Sequence, residues 1–229
     1  MISIIFFAYN EEKNIKKCIE DICSSLRDND FEIIIINDGS SDKTKEEIEK
    51  IQSDNFKILK INKNKNEGIA KAVYDGLKVT SGEYVTWLPS DGAYDVNFLS
   101  KFFEKTLIQQ DDLFIGYRSN KNKRVFFRFF LSEFLTLVLN FIFLKRIKDY
   151  NGVVIINKKL LHHIKLPNHP SFQWVIIMQL LKKKVKYSQF PIKMVLPEPG
   201  DGSSAMNFKT FKSYFFSLIQ LIKIVFFKS

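Results

Sequence analysis

The first half of the chain alternates short apolar runs with segments whose apolar residues recur at helical spacing. Residues 2–8 and 31–36 are rich in isoleucine and phenylalanine, which is typical of strands buried on both faces. Residues 10–27 between them carry apolar side chains three or four positions apart, the spacing of one helix face. The alternation predicts strands at 2–8, 31–36, 56–61, 84–88 and 113–116, with helices at 10–27, 43–53, 68–80 and 96–108.

Strands that alternate with helices predict βαβ units and a mostly parallel sheet. In such a sheet a ligand binds beyond the carboxyl ends of the strands. Polar clusters at 8–12, 37–42 and 89–95 directly follow three of the predicted strands. We therefore expect these clusters to converge at one edge of the sheet.

Beyond Gly116 the pattern changes, because a long apolar run at 124–147 follows a basic loop. The remaining pattern predicts strands at 153–156 and 185–190 and helices at 158–164, 171–183 and 207–228. Within 129–144 the polar residues fall on one arc of a helix, and basic residues flank the run on both sides. This favours a helix lying in the interface of an anionic membrane, and a helix buried under the sheet is the alternative.

The chain has 229 residues, of which 45% are hydrophobic, so it can bury a sizeable core and is not mainly disordered. Its net charge of +10 is uneven, with 15 Lys and Arg against 21 Asp and Glu up to Gly116, and 20 against 4 afterwards. This asymmetry indicates a polyanion or an anionic membrane as partner of the second half. AT-rich coding would explain the lysines but not the scarcity of acids. Because the aromatic residues lie in contiguous apolar segments, we expect no nucleic-acid partner.

Cysteine usage and the amino terminus favour a reducing compartment. Cys18 and Cys23 lie five positions apart, without a histidine or a second pair at zinc spacing. Met1 leads directly into an apolar run with no basic region before it, so the sequence predicts no signal peptide. We therefore expect the protein to stay in the cytoplasm.

Four polar motifs occur in order along the first half. They are Ala8-Tyr9-Asn10-Glu11-Glu12, Asn37-Asp38-Gly39-Ser40-Ser41-Asp42, Asn66-Glu67-Gly68 and Pro89-Ser90-Asp91-Gly92. Each motif alone is ordinary turn chemistry. In this order and at strand ends, they resemble the family 2 glycosyltransferases, which have the GT-A fold, over residues 2–116 and more loosely over 117–205. The second half most resembles the polyprenyl-phosphate glycosyltransferases, typified by dolichol-phosphate mannose synthase.

The resemblance implies a UDP- or GDP-sugar donor, a divalent Mg²⁺ or Mn²⁺ ion and inversion at the transferred sugar. It implies donor-binding roles for Ala8, Tyr9, Glu11, Asp38, Gly68, Lys71 and Ser90, and a metal-binding role for Asp91. The chain departs from the family pattern at Phe7, Asn37 and Pro89, where the family has Pro, Asp and Asp. One carboxylate together with a diphosphate can still hold Mg²⁺, which keeps several waters in most protein sites.

A phosphate acceptor is already an anion, so it needs cations and no general base. The resemblance implies this role for Arg118 and Arg128, with Ser132 one helical turn after Arg128. A solvated basic loop is the alternative for these arginines. Asp149 is either a structural ion-pair partner or, if the acceptor is a sugar hydroxyl, the catalytic base. Gly202-Ser203-Ser204 resembles the closing motif of the lipid-phosphate branch, although the arginine that precedes this motif in the family is missing.

The sequence thus predicts three segments. Residues 1–116 form the nucleotide-sugar-binding half, 117–206 form the acceptor-side half of the same GT-A domain, and 207–229 form a C-terminal amphipathic helix. The predicted enzyme transfers a sugar to a polyprenyl phosphate and is peripheral on the inner face of the cell membrane. Transfer to a sugar hydroxyl of a cell-surface glycan is one alternative. An inactive membrane-binding module of the same fold is another.

Overall fold

The computed structural model of the protein describes residues 1–106, 111–120, 126–164, 166–169 and 171–195. Its strands are β1 (Ile2–Ala8), β2 (Phe31–Asn37), β3 (Lys57–Asn62), β4 (Tyr84–Pro89), β5 (Leu113–Arg118), β6 (Val154–Asn157) and β7 (Tyr187–Ile192). Its α-helices are α1 (Ile15–Ser25), α2 (Thr44–Lys50), α3 (Ile69–Val79), α4 (Phe98–Thr106), α5 (Phe126–Phe143) and α6 (Phe172–Lys182). A 3₁₀ helix covers Lys158–His163.

The seven strands form one sheet in the order β3-β2-β1-β4-β6-β5-β7. Strand β6 runs antiparallel to its neighbours β4 and β5, and the other strand pairs are parallel. The predicted α/β fold with a mostly parallel sheet is therefore confirmed. Strand β2 is buried at every position, as expected for a central strand that is covered on both faces.

Helices cover both faces of the sheet, because successive strand residues point to opposite sides. Alternate residues such as Ile4 and Ile33 pack in a layer with α1, α2 and α4. Their neighbours Ile5 and Ile34 pack in the other layer with α3, α5 and α6. From α5, Leu135 and Leu139 are buried in this second layer.

Several elements of the second half end at other positions than the sequence predicts. The apolar helix predicted at 124–147 is described over Phe126–Phe143 and ends where Leu144 takes a φ of 52°. In its last turn, Asn140 accepts the Ile147 N–H at 3.0 Å and donates to the Ile147 carbonyl at 2.8 Å, which fixes the chain reversal after the helix. The helix predicted at 158–164 is a 3₁₀ helix, and the strand predicted at 185–190 lies two residues later.

Strands β4 and β6 separate before β4 ends, and this separation shapes the site. Their pairing covers only Tyr84 to Thr86, opposite Asn157 to Ile155. From Trp87 onward β4 pairs with β1 alone among the described strands. A gap therefore opens between the carboxyl end of β4 and the residues that lead into β6.

Within the described residues, no helix combines the length and the hydropathy that a membrane crossing requires. The predicted helix at 207–228 and the Gly202-Ser203-Ser204 motif lie outside the described residues.

Candidate active site

The loops that follow β1 and β2 are joined by reciprocal hydrogen bonds. The Asn10 N–H donates to Ser40 Oγ at 3.0 Å, and the Ser41 N–H donates to Asn10 Oδ1 at 2.9 Å. The Glu11 N–H donates to Thr44 Oγ1 at 2.7 Å. Asn10 has a φ of 57°, a left-handed conformation that asparagine tolerates better than most residues. The predicted convergence of the first two polar clusters is therefore observed.

Asp38 is buried at the end of β2 and holds the loop that opens α3. One oxygen of Asp38 accepts the Gly68 N–H at 2.8 Å, and the other accepts the Glu67 N–H at 3.1 Å and Lys63 Nζ at 2.8 Å. Gly68 has a φ of 88°, which favours glycine because it lacks a Cβ. Asp38 thus fixes the backbone along which the resemblance places the nucleotide.

Lys63 connects Asp38 to the charges of α3, a role that the sequence analysis missed. Lys63 Nζ lies 2.9 Å from Glu67 and 3.6 Å from Asp75, and its side chain is only 9% exposed. Burial alone would lower the pKa of Lys63, but the carboxylates of Asp38 and Glu67 outweigh it and raise that pKa. Lys71, predicted to lie beside the nucleotide, forms a 2.7 Å ion pair with Asp75 one turn along α3.

At the end of β4, Ser90 points inward and Asp91 points outward. Ser90 is buried, and its hydroxyl donates to the Phe7 carbonyl at 3.1 Å. Cys18 Sγ lies 3.3 Å from the Ser90 carbonyl, beneath the turn. Asp91 is exposed, and its Oδ1 accepts the Ala93 N–H at 3.0 Å. The inner residue therefore anchors the turn, while the outer carboxylate is available to a ligand.

The surroundings of Asp91 suit one divalent cation that is held mainly by a diphosphate. Burial raises the pKa of Glu11, and the charges of Asp91 and Asp42 raise it further. Asp91 and Asp42 therefore lie close enough to Glu11 for like-charge repulsion, which a bound cation would relieve. No group of three or more His, Cys, Asp or Glu side chains in the described part of the chain forms a complete metal cage. Asp91, Mg²⁺ waters and phosphate oxygens together fit the ordinary coordination of that ion.

Ala8 ends β1 and Tyr9 follows it. Strand β1 lies between β2, which leads to Asp38, and β4, which leads to Ser90 and Asp91. Ala8 is buried, and its carbonyl accepts the Asp38 N–H at 2.8 Å. Tyr9 is 49% exposed, which is high for so large a ring. Its exposed face is therefore open to a planar ligand such as a nucleotide base.

On the other side of the gap, Arg118 and Asp149 form a bidentate ion pair. Arg118 Nε and Nη2 lie 2.6 Å and 3.1 Å from the two oxygens of Asp149, which is fully buried. Arg118 Nη2 also donates to Ser132 Oγ at 3.2 Å, so α5 contributes to the same cluster. Arg128 lies on α5 one turn before Ser132, and its side chain is outside the described residues.

A cleft of about 270 Å³ lies where β4 and β6 separate. Its walls are Phe7, Ile69, Trp87, Pro89, Tyr94, Asn151, Gly152, Val153, Phe172, Gln173 and Trp174. A Cβ at Gly152 would lie 1.9 Å from the Gly116 carbonyl oxygen, so only glycine allows this close approach of the two chains.

Polar side chains from α6 secure the floor of this cleft. Gln173 accepts Trp87 Nε1 at 2.9 Å and donates to the Gly152 carbonyl at 2.6 Å. Trp174 Nε1 donates to Asn151 Oδ1 at 3.0 Å. These residues were not predicted from the sequence, although a glutamine and a tryptophan at the start of an otherwise apolar helix are a usable signal.

Tyr94 connects the two sides of the cleft. Its hydroxyl donates to the Asn151 carbonyl at 3.3 Å. Burial raises the pKa of Tyr94, the charge of Arg118 opposes that shift, and the charges of Asp149 and Asp91 add to it. The Asp91 carboxylate and the Arg118–Asp149 pair thus both lie within electrostatic reach of the Tyr94 ring.

Comparison with known proteins finds several glycosyltransferases. A dolichol-phosphate mannosyltransferase from Pyrococcus furiosus is 26% identical over 231 residues, covering 97% of this chain and 64% of that protein. A dolichyl-phosphate beta-glucosyltransferase from Trichomonas vaginalis is 33% identical over 144 residues, covering 57% of this chain and 45% of that protein. The chain thus spans less than two thirds of either relative.

The solved structures that match include a glucosyl-3-phosphoglycerate synthase from Mycobacterium tuberculosis, in complex with Mn²⁺, UDP and glucosyl-3-phosphoglycerate. The TM-score is 0.64 at 18% identity, covering 95% of this chain and 79% of that one. This likeness confirms the predicted GT-A fold. The family profile described as "Glycosyl transferase family 2" matches residues 3–164. The chain therefore belongs to glycosyl transferase family 2.

Proposed function

We propose that the protein transfers a sugar from a nucleoside-diphosphate sugar to a polyprenyl phosphate at a membrane surface, with inversion at the anomeric carbon. The observation that carries this proposal is the cleft whose lining residue Tyr94 lies within electrostatic reach of Asp91 and of the Arg118–Asp149 pair. A transfer reaction needs two such regions, one that stabilises a leaving diphosphate and one that holds an acceptor. The dolichol-phosphate relatives favour the same acceptor class.

On the donor side, Tyr9 and Glu11 would line the base, and the Gly68 loop held by Asp38 would lie along the nucleotide. Ala8 and the inward-facing Ser90 would support these contacts from beneath. Lys71 would approach the phosphates from α3, alternating between them and Asp75. Asp91 would hold Mg²⁺ or Mn²⁺, which when bound neutralises charge developing on the departing diphosphate.

On the acceptor side, Arg118 and Arg128 would bind the phosphate of the lipid, with a hydrogen bond from Ser132. A phosphate oxygen then forms the bond to the anomeric carbon while the bond from that carbon to the diphosphate breaks. The electron pair leaves with the nucleoside diphosphate, and no proton has to be removed from the acceptor. The planar guanidinium suits this role because it can donate two parallel hydrogen bonds to phosphate.

Asp149 acts in this proposal as a positioning residue for Arg118. It accepts hydrogen bonds from the Arg118 side chain and from the N–H groups of Arg118 and Asn151. A carboxylate with so many donors and no exposed surface is poorly suited to remove a proton from a sugar hydroxyl. This supports a phosphate acceptor over the glycan alternative, in which Asp149 would be the base.

The test is a kinetic comparison of Arg118→Gln, Arg118→Lys and Asp149→Asn. We expect Arg118→Gln to raise the KM for polyprenyl phosphate by tenfold or more, on the order of 1.5–3 kcal/mol for a lost charge-assisted hydrogen bond. Arg118→Lys should recover only part of this loss, since lysine lacks the fork. The dissociation constant for the donor nucleotide, measured by calorimetry, should not change.

The same variants separate the two acceptor classes. If Asp149→Asn abolishes kcat with a soluble glycan that the parental enzyme glycosylates, Asp149 is a base and the glycan alternative is correct. If Arg118→Gln transfers sugar to polyprenyl phosphate with the kinetics of the parent, Arg118 is not part of the acceptor site. Absence of turnover with every acceptor, in a protein that still binds nucleotide sugar, would favour the inactive module.

A further inference from the structure

The outward face of α5 exposes a row of large apolar side chains. Phe134, Leu137 and Phe141 are 52%, 67% and 81% exposed, and Leu144 just after the helix is 87% exposed. These four make up half of the eight large apolar residues that are exposed in the described part of the chain. At 100° per residue, the three helical members fall within an arc of about 60°. We call these four residues the outer stripe.

The opposite face of α5 packs against the core of the protein. Leu135, Thr136 and Leu139 are buried in the core. Asn140 accepts the Tyr150 hydroxyl at 2.9 Å and is bonded on both sides to Ile147. Within the described part of the chain, the outer stripe therefore takes no part in the core, and contiguous exposed apolar surface of this kind marks an interaction site.

Cations from two separate segments surround the carboxyl end of the outer stripe. Lys145, Arg146 and Lys148 follow α5 directly, and a second basic run lies at the end of α6. This second run consists of Lys182, Lys183, Lys184 and Lys186, all exposed. Lys145 and Lys182 line one shallow cleft of about 230 Å³ together with Leu144, which places both runs beside the stripe.

Acidic residues are almost missing from this region. In residues 126–195 the acids are Glu133 and Asp149, and Asp149 is fully buried against Arg118. Two copies of the chain that met through their outer stripes would bring these like charges together, which disfavours self-association. An anionic lipid surface supplies both the apolar depth and the negative charge that the region lacks.

We propose that the outer stripe and the two basic runs form a docking surface for a bilayer rich in anionic phospholipid. The stripe enters the boundary between headgroups and acyl chains, and the cations contact lipid phosphates. Ser132 lies on the inward side of the same helix and bonds to Arg118. Because Ser132 faces inward and the outer stripe faces outward, the acceptor cluster and the lipid surface lie on opposite sides of α5. A helix with its side chains is about 10 Å across, which sets the distance between them. The last point rests on the proposed function, whereas the docking surface itself does not.

The experiment measures binding of the full chain to vesicles of phosphatidylglycerol mixed with phosphatidylcholine, by co-sedimentation. We expect the double variant Phe134→Ser/Phe141→Ser to lower the partition coefficient by about tenfold or more, because two apolar rings are lost. Lys183→Gln/Lys186→Gln should lower binding to the mixed vesicles by about fivefold for each lysine, without changing binding to pure phosphatidylcholine. Val79→Ser, at an exposed apolar residue on α3, is the matched control and should bind like the parent.

A second variant keeps the apolar bulk and so avoids any effect on folding. In Phe141→Trp, the fluorescence of the new indole should shift to shorter wavelength on mixed vesicles and be quenched by brominated lipid. Parental binding by Phe134→Ser/Phe141→Ser, or an unshifted Phe141→Trp emission, overturns the proposal. The proposal is also overturned if light scattering shows that the parent is a dimer and the double serine variant is not, while both bind vesicles equally.

A parallel assay separates this proposal from the proposed function. Transfer to a short-chain prenyl phosphate in detergent does not require docking, so Phe134→Ser/Phe141→Ser should turn over like the parent there. If the parental protein itself makes no product in detergent but its vesicle binding depends on the outer stripe, the acceptor assignment fails and the docking surface stands.

Discussion

Asp38 and Asp149 are buried carboxylates that each receive hydrogen bonds from a cation and from backbone N–H groups. Burying a charge is costly unless it is paired in this way. Both residues are therefore arranged to hold a neighbour still. Asp38 holds the Gly68 loop and Asp149 holds the Arg118 side chain, so both are fixed before any substrate binds.

The pairing of Asp38 with Lys63 leads to a prediction for stability. Lys63→Met keeps the length of the side chain but leaves the carboxylates of Asp38 and Asp75 without their shared cation. We expect the free energy of unfolding, measured by urea denaturation, to fall by about 3 kcal/mol. Nucleotide affinity should fall with it, because the Gly68 loop loses its support.

Lys78→Met is the matched control for this change. Lys78 pairs with the same Asp75 at 2.9 Å, but its side chain is 68% exposed. Its substitution should leave both stability and nucleotide affinity close to parental values. If Lys63→Met behaves like Lys78→Met, the Lys63 network does not support the site.

The sequence indicates some site residues and not others, for a physical reason. Asp38 directly follows β2, and Asp91 comes two residues after the end of β4, so their position at the sheet edge is implied by the local pattern. Lys63 and Gln173 take their roles from partners such as Asp38 and Trp87, which lie 25 and 86 positions away. No local periodicity records such pairings, and only the folded chain brings them together.

At the scale of elements, Glu32 on β2 ties together three parts of the sheet edge opposite the site. It is 1% exposed and accepts hydrogen bonds from Ser3 Oγ on β1 at 2.6 Å and from Ser81 Oγ before β4 at 2.7 Å. Lys57 on β3 lies 3.2 Å away. Burial alone would raise the pKa of Glu32, but these hydrogen bonds lower it to about 2.

The lowered pKa of Glu32 predicts how stability depends on pH. Its folded value of about 2 lies below the ordinary 4.5, so the ionised group stabilises the fold above pH 4.5 and loses that effect as the pH falls toward 2. Glu32→Gln should lower the free energy of unfolding at pH 7 by about 2–3 kcal/mol. Urea denaturation should show this difference shrinking between pH 4.5 and 2, whereas Glu20→Gln on the exposed face of α1 should follow the parent throughout. A difference that is constant with pH would contradict this role of Glu32.

The elements themselves were predictable to different degrees. Strands β1 and β2 are nearly continuous apolar runs, and their burial on both faces makes that signal strong. The end of α5 depends on Asn140 and Ile147, and the 3₁₀ helix and the start of β7 depend on neighbouring strands. Such ends are decided by tertiary hydrogen bonds, so a periodic pattern gives only their approximate place.

At the scale of the whole molecule, the acidic and basic halves of the sequence correspond to different tasks. The first half builds the sheet edge where Asp38 and Asp91 lie, and the second half supplies Arg118, α5 and the basic runs. The uneven charge was visible in the sequence. The separation of β4 and β6 that makes the cleft was not, because it arises from the short pairing of an antiparallel strand within a parallel sheet.

The central claim is sugar transfer to a lipid phosphate at this cleft, and radiolabel transfer tests it most directly. The full chain is incubated with polyprenyl phosphate, Mg²⁺ or Mn²⁺ and each radiolabelled UDP- or GDP-sugar in turn, and label in the lipid extract is counted. We predict labelled lipid with at least one donor, its loss on chelation with EDTA, and a decrease of about a hundredfold in Asp91→Asn, as for removal of a group that stabilises transition-state charge. No labelled lipid with any donor, or labelling that neither EDTA nor Asp91→Asn reduces, would contradict the account.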